Sequence, residues 1–244
     1  MKTVTTIIRR ELLSYFTTPI AFVFLVVFLV LAAAFSFYLG GFYERQIADL
    51  QPFFQFHPWL YLFLVPALSM RLWAEERHSG TLELLLTLPL TPWQAVLGKF
   101  IAAWLFLGLA LLLTVPIWFT VNYLGEADNG RIMSSYLGSW LLAGSLLAIG
   151  SCMSALSRNQ VIAFVLTLVA SFVLMLTGLP MILNIFDGWL SQFWIDGIAR
   201  LSLINHFNGF QRGVIAWYEM LYFILMILFW LYATVVVLNN RRSN

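Results

Sequence analysis

Long apolar segments separated by short polar intervals leave this chain few folds to adopt. Six of them lie at about residues 20–40, 54–70, 100–121, 136–157, 161–181 and 220–238. A helix rises about 1.5 Å per residue, so roughly twenty apolar residues cross the ~30 Å hydrocarbon core of a bilayer. Only 10% of the residues are charged, against about 25% in soluble domains. The sequence therefore predicts an all-α integral membrane protein, with one transmembrane domain of six spans over residues 1–244.

Residues 1–18 have a different pattern from the spans. Apolar positions such as Ile8, Leu12 and Tyr15 recur at helical spacing with basic residues between them. This pattern predicts an amphipathic helix at the membrane surface, which Pro19 separates from the first span. A cleavable signal peptide is the alternative, because 32–34 is a run of three alanines. Apolar residues continue past that run, which favours the surface helix.

The basic residues predict the orientation of the six spans. Nine of the 13 Lys and Arg residues fall on one side and four on the other. The nine are Lys2, Arg9, Arg10, Arg71, Arg77, Lys99, Arg158, Arg241 and Arg242; the four are Arg45, Arg131, Arg200 and Arg212. Loops rich in Lys and Arg stay in the cytoplasm. We therefore expect both termini of this multi-pass chain to be cytoplasmic.

The densest charge in the sequence lies between the second and third spans. Arg71, Glu75, Glu76 and Arg77 come first, and a leucine-rich run follows from residue 82. A glycine before that run and a proline after it predict a short helix with defined ends. An exposed leucine-rich helix needs a surface to cover it. We expect that surface to be the membrane, the chain itself or a partner.

This stretch resembles the first cytoplasmic loop of ABC-2 type transporter permeases. The resemblance is carried by Glu-Glu-Arg at 75–77, Ser-Gly-Thr-Leu-Glu-Leu-Leu at 79–85, Leu-Pro-Leu at 88–90 and Gly-Lys at 98–99. It implies that residues 71–98 are a cytoplasmic coupling loop whose helix docks onto a separate ATPase. The implied ATPase-coupling residues are Glu75, Glu76, Arg77, Gly80, Thr81, Leu82, Glu83, Leu84 and Leu85. An ordinary loop with a leucine-rich turn is the alternative reading.

Residues 183–217 are too polar for a plain span and too apolar for a free loop. Their apolar positions recur every three or four residues, which predicts outer interfacial or re-entrant helices. His206, Arg212 and Gly213 lie in a stretch that is similar to the closing region of gliding-motility-type permeases and their relatives in copper-site maturation. That subgroup often has an acidic residue after Gly-Val-Ile, where this chain has Ala216.

Small residues in the fourth span are spaced for close helix contact, as in the pairs Gly144–Ala148 and Gly150–Ser154. They predict a seam within the subunit or, as the alternative, a dimer face.

Glu75 and Glu76 are expected at the inner membrane edge, paired with basic partners for which Arg9 and Arg10 are candidates. A solvated charge cluster is the alternative. An intramembrane protease motif fits them poorly, since Gly80 occupies the position of its arginine.

Other chemistry is sparse. No Gly-rich phosphate loop ending in Gly-Lys-Ser or Gly-Lys-Thr is present. His57 and His206 could share a metal, but hydrogen bonding is the expected role of each. Charged residues are almost absent from the proposed spans, which argues against ion coupling within the chain.

The function implied by the resemblance is that of a permease subunit, an exporter or a mechanotransmitting element in the bacterial inner membrane. It would not be an enzyme and would bind no cofactor; ATP and Mg would lie on a partner ABC ATPase present in two copies. A second or homologous permease copy would complete the pathway, and an auxiliary membrane subunit with an outer domain could join. The bilayer is the other expected partner, and nucleic acid is not. A membrane-embedded enzyme or a scaffold is the alternative.

The six-span topology predicts opposite accessibilities for two single cysteines. In a Cys152→Ser background, Asn129→Cys should react with an impermeant thiol reagent in intact cells, because Asn129 is placed outside. Ser79→Cys should react only after the membrane is permeabilised. Labelling of Ser79→Cys in intact cells would contradict the topology.

Overall fold

A computed structural model describes residues 2–42, 44, 49–81, 91–186 and 191–242. The fold is 85% helix, and no strand occurs among the described residues. Four described helical segments are long and apolar enough to cross a membrane: Ala21–Leu39, Pro92–Leu124, Asn129–Leu156 and Trp217–Asn240. The chain is a membrane protein, as the hydropathy predicts. The count of six remains a prediction.

The first two helices meet at a proline. Helix α1 (Lys2–Thr17) is the predicted amphipathic helix, and α2 (Pro19–Ala34) follows after Thr18. Proline is tolerated at the first turn because that turn has no use for its missing N–H. A single π-helical turn, Phe35–Leu39, extends α2. Helix α2 and this π-helical turn together form the first candidate span.

The predicted second span is divided between short helices. Helices α3 (Gln51–Gln55), α4 (His57–Ser69) and α5 (Arg71–His78) follow one another with single-residue breaks. Helix α5 ends at His78 with Ser79 as its C-cap, and Gly80 follows with a φ of +73°, in the left-handed region that favours glycine. The charged run at 71–78 is therefore helical and continues the apolar α4.

The third span begins earlier than the sequence predicts. Helix α6 (Pro92–Leu112) starts at Thr91, whose side chain and Gln94 form a capping box. After a break at 113–114, α7 (Val115–Leu124) continues the same segment. Because α6 starts at residue 92, the predicted coupling loop is shorter at its C-terminal end, and Lys99 lies within a helix.

Helix α8 (Asn129–Leu156) is the centre of the bundle. It is 28 residues long, starts at the capping carboxylate of Asp128, and its most apolar window is 83% buried within the chain. Its glycines allow close approach: a Cβ on Gly150 would lie 2.0 Å from Ser69 Oγ, and one on Gly144 would lie 2.6 Å from Trp104 Nε1. The small residues thus form a seam within the subunit, which is the first of the two predicted alternatives.

Two tryptophans lock α6 to α8. Trp104 Nε1 donates to the Trp140 carbonyl at 2.9 Å, and Trp140 Nε1 donates to the Trp104 carbonyl at 3.3 Å. Their rings stack with centroids 4.2 Å apart. Each half-buried indole therefore satisfies its donor on the other helix.

The remaining helices cover the bundle. They are α9 (Gln160–Leu176), α10 (Pro180–Phe186), α11 (Gln192–Ala199), α12 (Leu203–Gln211) and α13 (Trp217–Arg242). Helix α9, at 17 residues, is apolar but shorter than the four candidate spans. Helices α10 to α12 are short and lie in or beside the interval 183–217, whose place at the outer face stays a prediction. Helix α13 begins three residues before the predicted sixth span.

The bundle has two distinct ends, defined by α8. Arg131 near its start contacts Gln211 in α12, and Ala155 near its end contacts Arg77 in α5. At about 1.5 Å per residue, these contacts are some 35 Å apart along the helix. We call the end near Arg131 the His206 end and the end near Ala155 the Lys99 end, after a side chain that lies at each.

One glycine substitution tests the seam and a second serves as its control. Gly150→Ala should lower the free energy of unfolding by about 1–3 kcal/mol, because its Cβ would overlap Ser69. Gly197→Ala, where nothing lies within 4 Å, should be neutral or stabilising by up to ~1 kcal/mol through helix propensity. Thermal unfolding in detergent micelles measures both. Equal midpoints would show that the seam is loosely packed.

Candidate functional site

A buried lysine organises the end of the bundle that carries the predicted coupling residues. Lys99 in α6 is 5% exposed. Its Nζ donates to Glu76 Oε1 at 2.7 Å and to the Leu72 carbonyl at 3.1 Å. Glu11 Oε1 lies 3.8 Å away, and the Trp73 ring centroid lies 5.3 Å away. One ammonium group thus connects α1, α5 and α6. A charge can remain buried here because it is paired and hydrogen-bonded.

Serine hydroxyls on α8 hold the start of α5. Ser154 Oγ accepts from the backbone N–H groups of Trp73 and Ala74, both at 3.1 Å, and donates to the Met70 carbonyl at 2.9 Å. Trp73 Nε1 donates to Ser151 Oγ at 3.0 Å. The first N–H groups of a helix lack partners within it. Here a neighbouring helix supplies the missing cap.

Arg77 makes the reverse contact, from α5 to the end of α8. Its Nη1 donates to the carbonyls of Ala155 at 3.0 Å and Ser157 at 3.2 Å. The last carbonyls of a helix lack internal partners, and a cation is favoured there. Helices α5 and α8 therefore cap each other's ends and are joined along a short, polar contact.

Glu75 and Glu76 pair with basic residues, as predicted, but the candidates Arg9 and Arg10 are not their ion-pair partners. Glu76 pairs with Lys99, and Glu75 lies 3.7 Å from Arg71 on its own helix. Arg10 instead binds Glu11 at 2.8 Å, and this hydrogen bond raises the pKa of its guanidinium. The physical reason is that α6 begins early enough to bring Lys99 beneath α5.

The other predicted coupling residues divide into two groups. Gly80 and Thr81 are described, and the Thr81 hydroxyl lies 2.9 Å from that of Ser79, at the exposed end of α5. Leu82, Glu83, Leu84 and Leu85 lie outside the described residues, so their role stays a prediction. The structure shows that α5, the helix that precedes these residues, is fixed to α8 by hydrogen bonds.

At the His206 end, a buried carboxylate contacts a half-buried histidine. Glu219, in the first turn of α13, is 6% exposed, and its carboxylate contacts His206 Nδ1. His206 Nε2 lies 2.8 Å from the Arg200 carbonyl. Because a carbonyl oxygen only accepts, Nε2 carries a proton.

Aromatic contacts complete this pair. The Tyr222 ring stacks on the His206 ring with centroids 3.7 Å apart, and its hydroxyl donates to the Leu201 carbonyl at 2.6 Å. A cavity of about 340 Å³, lined also by Asp196 and Asn205, opens beside the pair. The result is a clip that ties α12 and the turn before it to α13.

The predicted Arg212 and Gly213 lie beside this clip and are not part of it. Gly213 has a φ of +85°, so the turn after α12 needs a glycine. Arg212 is exposed on a second cavity of about 250 Å³, which Glu219 also lines. Of the three residues predicted here, only His206 bonds to the buried carboxylate.

The two histidines lie in different surroundings. His57 is fully buried, its ring stacks on those of Phe28 and Tyr61, and its Nδ1 lies 3.4 Å from Ser139 Oγ. No group of three or more metal-ligating side chains occurs in the part of the chain that the structure describes. His57 Nε2 is buried with no hydrogen-bond partner among the described residues, whereas both ring nitrogens of His206 have one.

Sequence reasoning missed Glu11, Lys99 and Glu219 as site residues. Lys99 belongs to the Gly-Lys pair at 98–99 that carries the resemblance. Its position between apolar residues was the available signal that it would be buried. Glu219 was placed just outside the sixth span, although an acidic residue at a span's edge is itself a functional signal. Ser154 stands out in the sequence only as a small residue, and its hydrogen-bonding role is visible only in the structure.

The buried central helix, the apolar spans and the paired charges at the bundle ends define a helical integral membrane subunit. Comparison of the sequence with known protein families identifies the family of this chain. Residues 5–211 match the family described as ABC-2 family transporter protein, and the chain belongs to that family.

Two curated proteins match this chain at low sequence identity. The chain is similar to the probable multidrug ABC transporter permease YbhR of Escherichia coli K12, with 27% identity over 161 residues. The protein of the same name from Escherichia coli O157:H7 matches equally. The alignment covers 63% of this chain and 39% of each relative. The chain thus spans about two fifths of the length of these curated relatives.

Removing the lysine should destabilise the Lys99 end far more than removing a surface charge. Lys99→Met leaves Glu76 without its partner and should lower the free energy of unfolding by ~2–4 kcal/mol. Arg10→Gln, which breaks an exposed pair, should cost less than ~1 kcal/mol. Thermal unfolding in micelles compares them. The double variant Lys99→Met/Glu76→Leu should recover most of the loss, and no recovery would contradict the pairing.

Proposed function

We propose that this chain is the transmembrane permease subunit of an ABC-2 type exporter or mechanotransmitting complex, driven by a separate ABC ATPase. Membership of the ABC-2 family supports the class of protein. The absence of a phosphate-binding loop from the sequence agrees with ATP hydrolysis on a partner. The chain itself would move in response to the partner and would catalyse no reaction.

The observation that carries the proposal is the attachment of α5 to three other helices. This helix leads directly into the leucine-rich segment at 82–88, and its contacts reach α1, α6 and α8 through Lys99, Ser154 and Arg77. A force applied to the segment would therefore reach three helices at once. A coupling element needs this property, since a loosely attached loop would absorb the displacement.

The proposal includes a particular arrangement in the membrane. Both termini and the Lys99 end would face the cytoplasm, with α4 and α9 completing six spans and α10 to α12 lying at the outer face. Helix α1 would lie along the inner membrane surface. The positive-inside distribution of the basic residues supports this orientation.

The assembly would follow from the span count. Six spans per chain make a dimer of permeases with two ATPase copies the simplest complete pathway, in the inner membrane of a bacterium. The motif around His206 and Gly213 supports a place near the gliding-motility-type subgroup, in which an auxiliary subunit joins. Glu219, three residues after Ala216, supplies a buried acidic group in this region.

Charge reversal in the leucine-rich segment tests the proposal. Glu83→Lys should reduce recovery of an ABC ATPase with the tagged chain at least about tenfold, because like charges at a docked surface cost several kcal/mol. Gly80→Pro should act similarly, since proline cannot adopt the φ of +73° that ends α5. Quantitative mass spectrometry of proteins purified with the chain, at matched membrane abundance, is the measurement.

Glu126→Lys is the matched control, because Glu126 is exposed in the turn before α8, at the His206 end. It should recover as much ATPase as the unmodified chain. If Glu83→Lys and Gly80→Pro also recover full amounts, the segment at 80–88 is not the coupling element. If the unmodified chain recovers no ATPase at all, the proposed function is wrong.

A further inference from the structure

A cavity of about 480 Å³ lies at the Lys99 end, between α1, α5 and the first turns of α6. Its volume lies within the ~300–1,000 Å³ that is usual for small-molecule sites. Three basic and three acidic side chains line it, with no net charge: Arg10, Arg71, Lys99, Glu11, Glu75 and Glu76. A cavity with equal numbers of both charges suits a ligand that also carries both.

One oxygen in this lining lacks a donor. Glu76 Oε1 binds Lys99, but Oε2 is buried and has no hydrogen-bond partner among the described residues. A buried carboxylate oxygen without a donor is costly. The missing group is an N–H or O–H donor, and an ammonium would give the strongest bond.

Donors for an anion lie in the same cavity. Arg71 makes one described contact, from Nε to Glu75 at 3.7 Å, so its two terminal nitrogens are available. Burial, with a smaller contribution from Glu11, raises the pKa of the Tyr15 phenol, so this hydroxyl stays protonated and can donate. A guanidinium beside a hydroxyl suits a phosphate group.

The cavity also has an apolar border. Thr18 lines it and directly precedes α2, the first candidate span. Phe16 and Phe22, whose rings are in edge contact, are 39% and 54% exposed on either side of Thr18. Polar groups at the end of a span, bordered by exposed aromatic rings, match the layer where lipid headgroups meet acyl chains.

We propose that this cavity binds the headgroup of a phospholipid that carries a primary amine, of the phosphoethanolamine type. The ammonium would donate to Glu76 Oε2, the phosphate would lie against Arg71 and Tyr15, and the acyl chains would run past Phe16 and Phe22. A choline headgroup has no N–H and cannot supply the missing donor. The site therefore discriminates by hydrogen bonding, since both headgroups carry the same charges.

Retention of defined lipids by the purified chain tests the assignment. Delipidated protein in detergent is mixed with equal amounts of phosphatidylethanolamine and phosphatidylcholine of identical chains, and the lipids retained are counted by native mass spectrometry. The ethanolamine lipid should be retained at least about fivefold over the choline lipid, and its N-methylated forms should be retained less with each methyl group. Equal retention of the two lipids overturns the proposal.

Variants separate the two halves of the headgroup. Glu76→Gln should abolish the preference for ethanolamine, and Arg71→Gln should lower retention of both lipids about fivefold because it removes the phosphate partner. Arg200→Gln, which removes an exposed charge at the His206 end, is the control and should change nothing. Unfolding midpoints identify variants that lose lipid only because they unfold; Arg71 is 34% exposed and tolerates substitution best. A folded Arg71→Gln variant with unchanged retention overturns the phosphate assignment.

A soluble ligand is the other source of the same chemistry. Free phosphoethanolamine, added alone, should raise the unfolding midpoint less than the lipid does, because it lacks acyl chains. Stabilisation by the free compound without retention of the lipid overturns the assignment to a membrane lipid. Recovery of an ATPase is measured separately, so a negative lipid result leaves the proposed function standing.

Discussion

Close packing around one buried helix is the constraint on which the rest of this structure depends. Inside a bilayer there is no water to satisfy a polar backbone group, and lipid chains are as apolar as leucine, so helices associate through contact and hydrogen bonds. Helix α8 meets this condition with glycine and serine. Gly150 lets Ser69 approach, and Ser154 caps the start of α5. The same small side chains thus bring the helices together and satisfy their ends.

The buried charges are placed where this packing ends. Lys99 and Glu219 lie near opposite ends of the bundle, and each is more than nine-tenths buried. Lys99 pairs with Glu76 and joins α6 to α5, and Glu219 contacts His206 and joins α13 to α12. Charged groups within spans are rare and are commonly functional. Here they tie the short peripheral helices to the long apolar ones, which gives both ends of the bundle defined geometry.

Much of the fold was predictable because hydropathy is a strong signal in membrane chains. Four of the six proposed spans coincide with described candidate spans, and the amphipathic α1 lies where its periodicity placed it. The segment at 54–70 was harder, because short helices on either side of a 13-residue α4 interrupt it. Composition averages over such breaks and cannot locate them.

The site was less predictable, and for a physical reason. The sequence drew attention to Glu75 and Glu76 but gave no way to choose their partners, since pairing depends on where α6 begins. A start at Pro92 brings Lys99 under α5, whereas a start at residue 100 would leave it in a loop. Glu219 was missed for the same reason, because moving the start of α13 by three residues turns an apparent loop carboxylate into a buried one.

The paired tryptophans have a consequence for how such a subunit can change shape. Trp104 and Trp140 each donate to the other's carbonyl, so sliding α6 along α8 by even one residue, about 1.5 Å, would break both hydrogen bonds together. Shear between packed helices is one of the two common modes of domain motion, and hinge rotation is the other. Shear at this interface therefore costs both hydrogen bonds at once, which favours rotation of α6 and α8 together. The break at 113–114, between α6 and α7, is the nearest interruption of the helix.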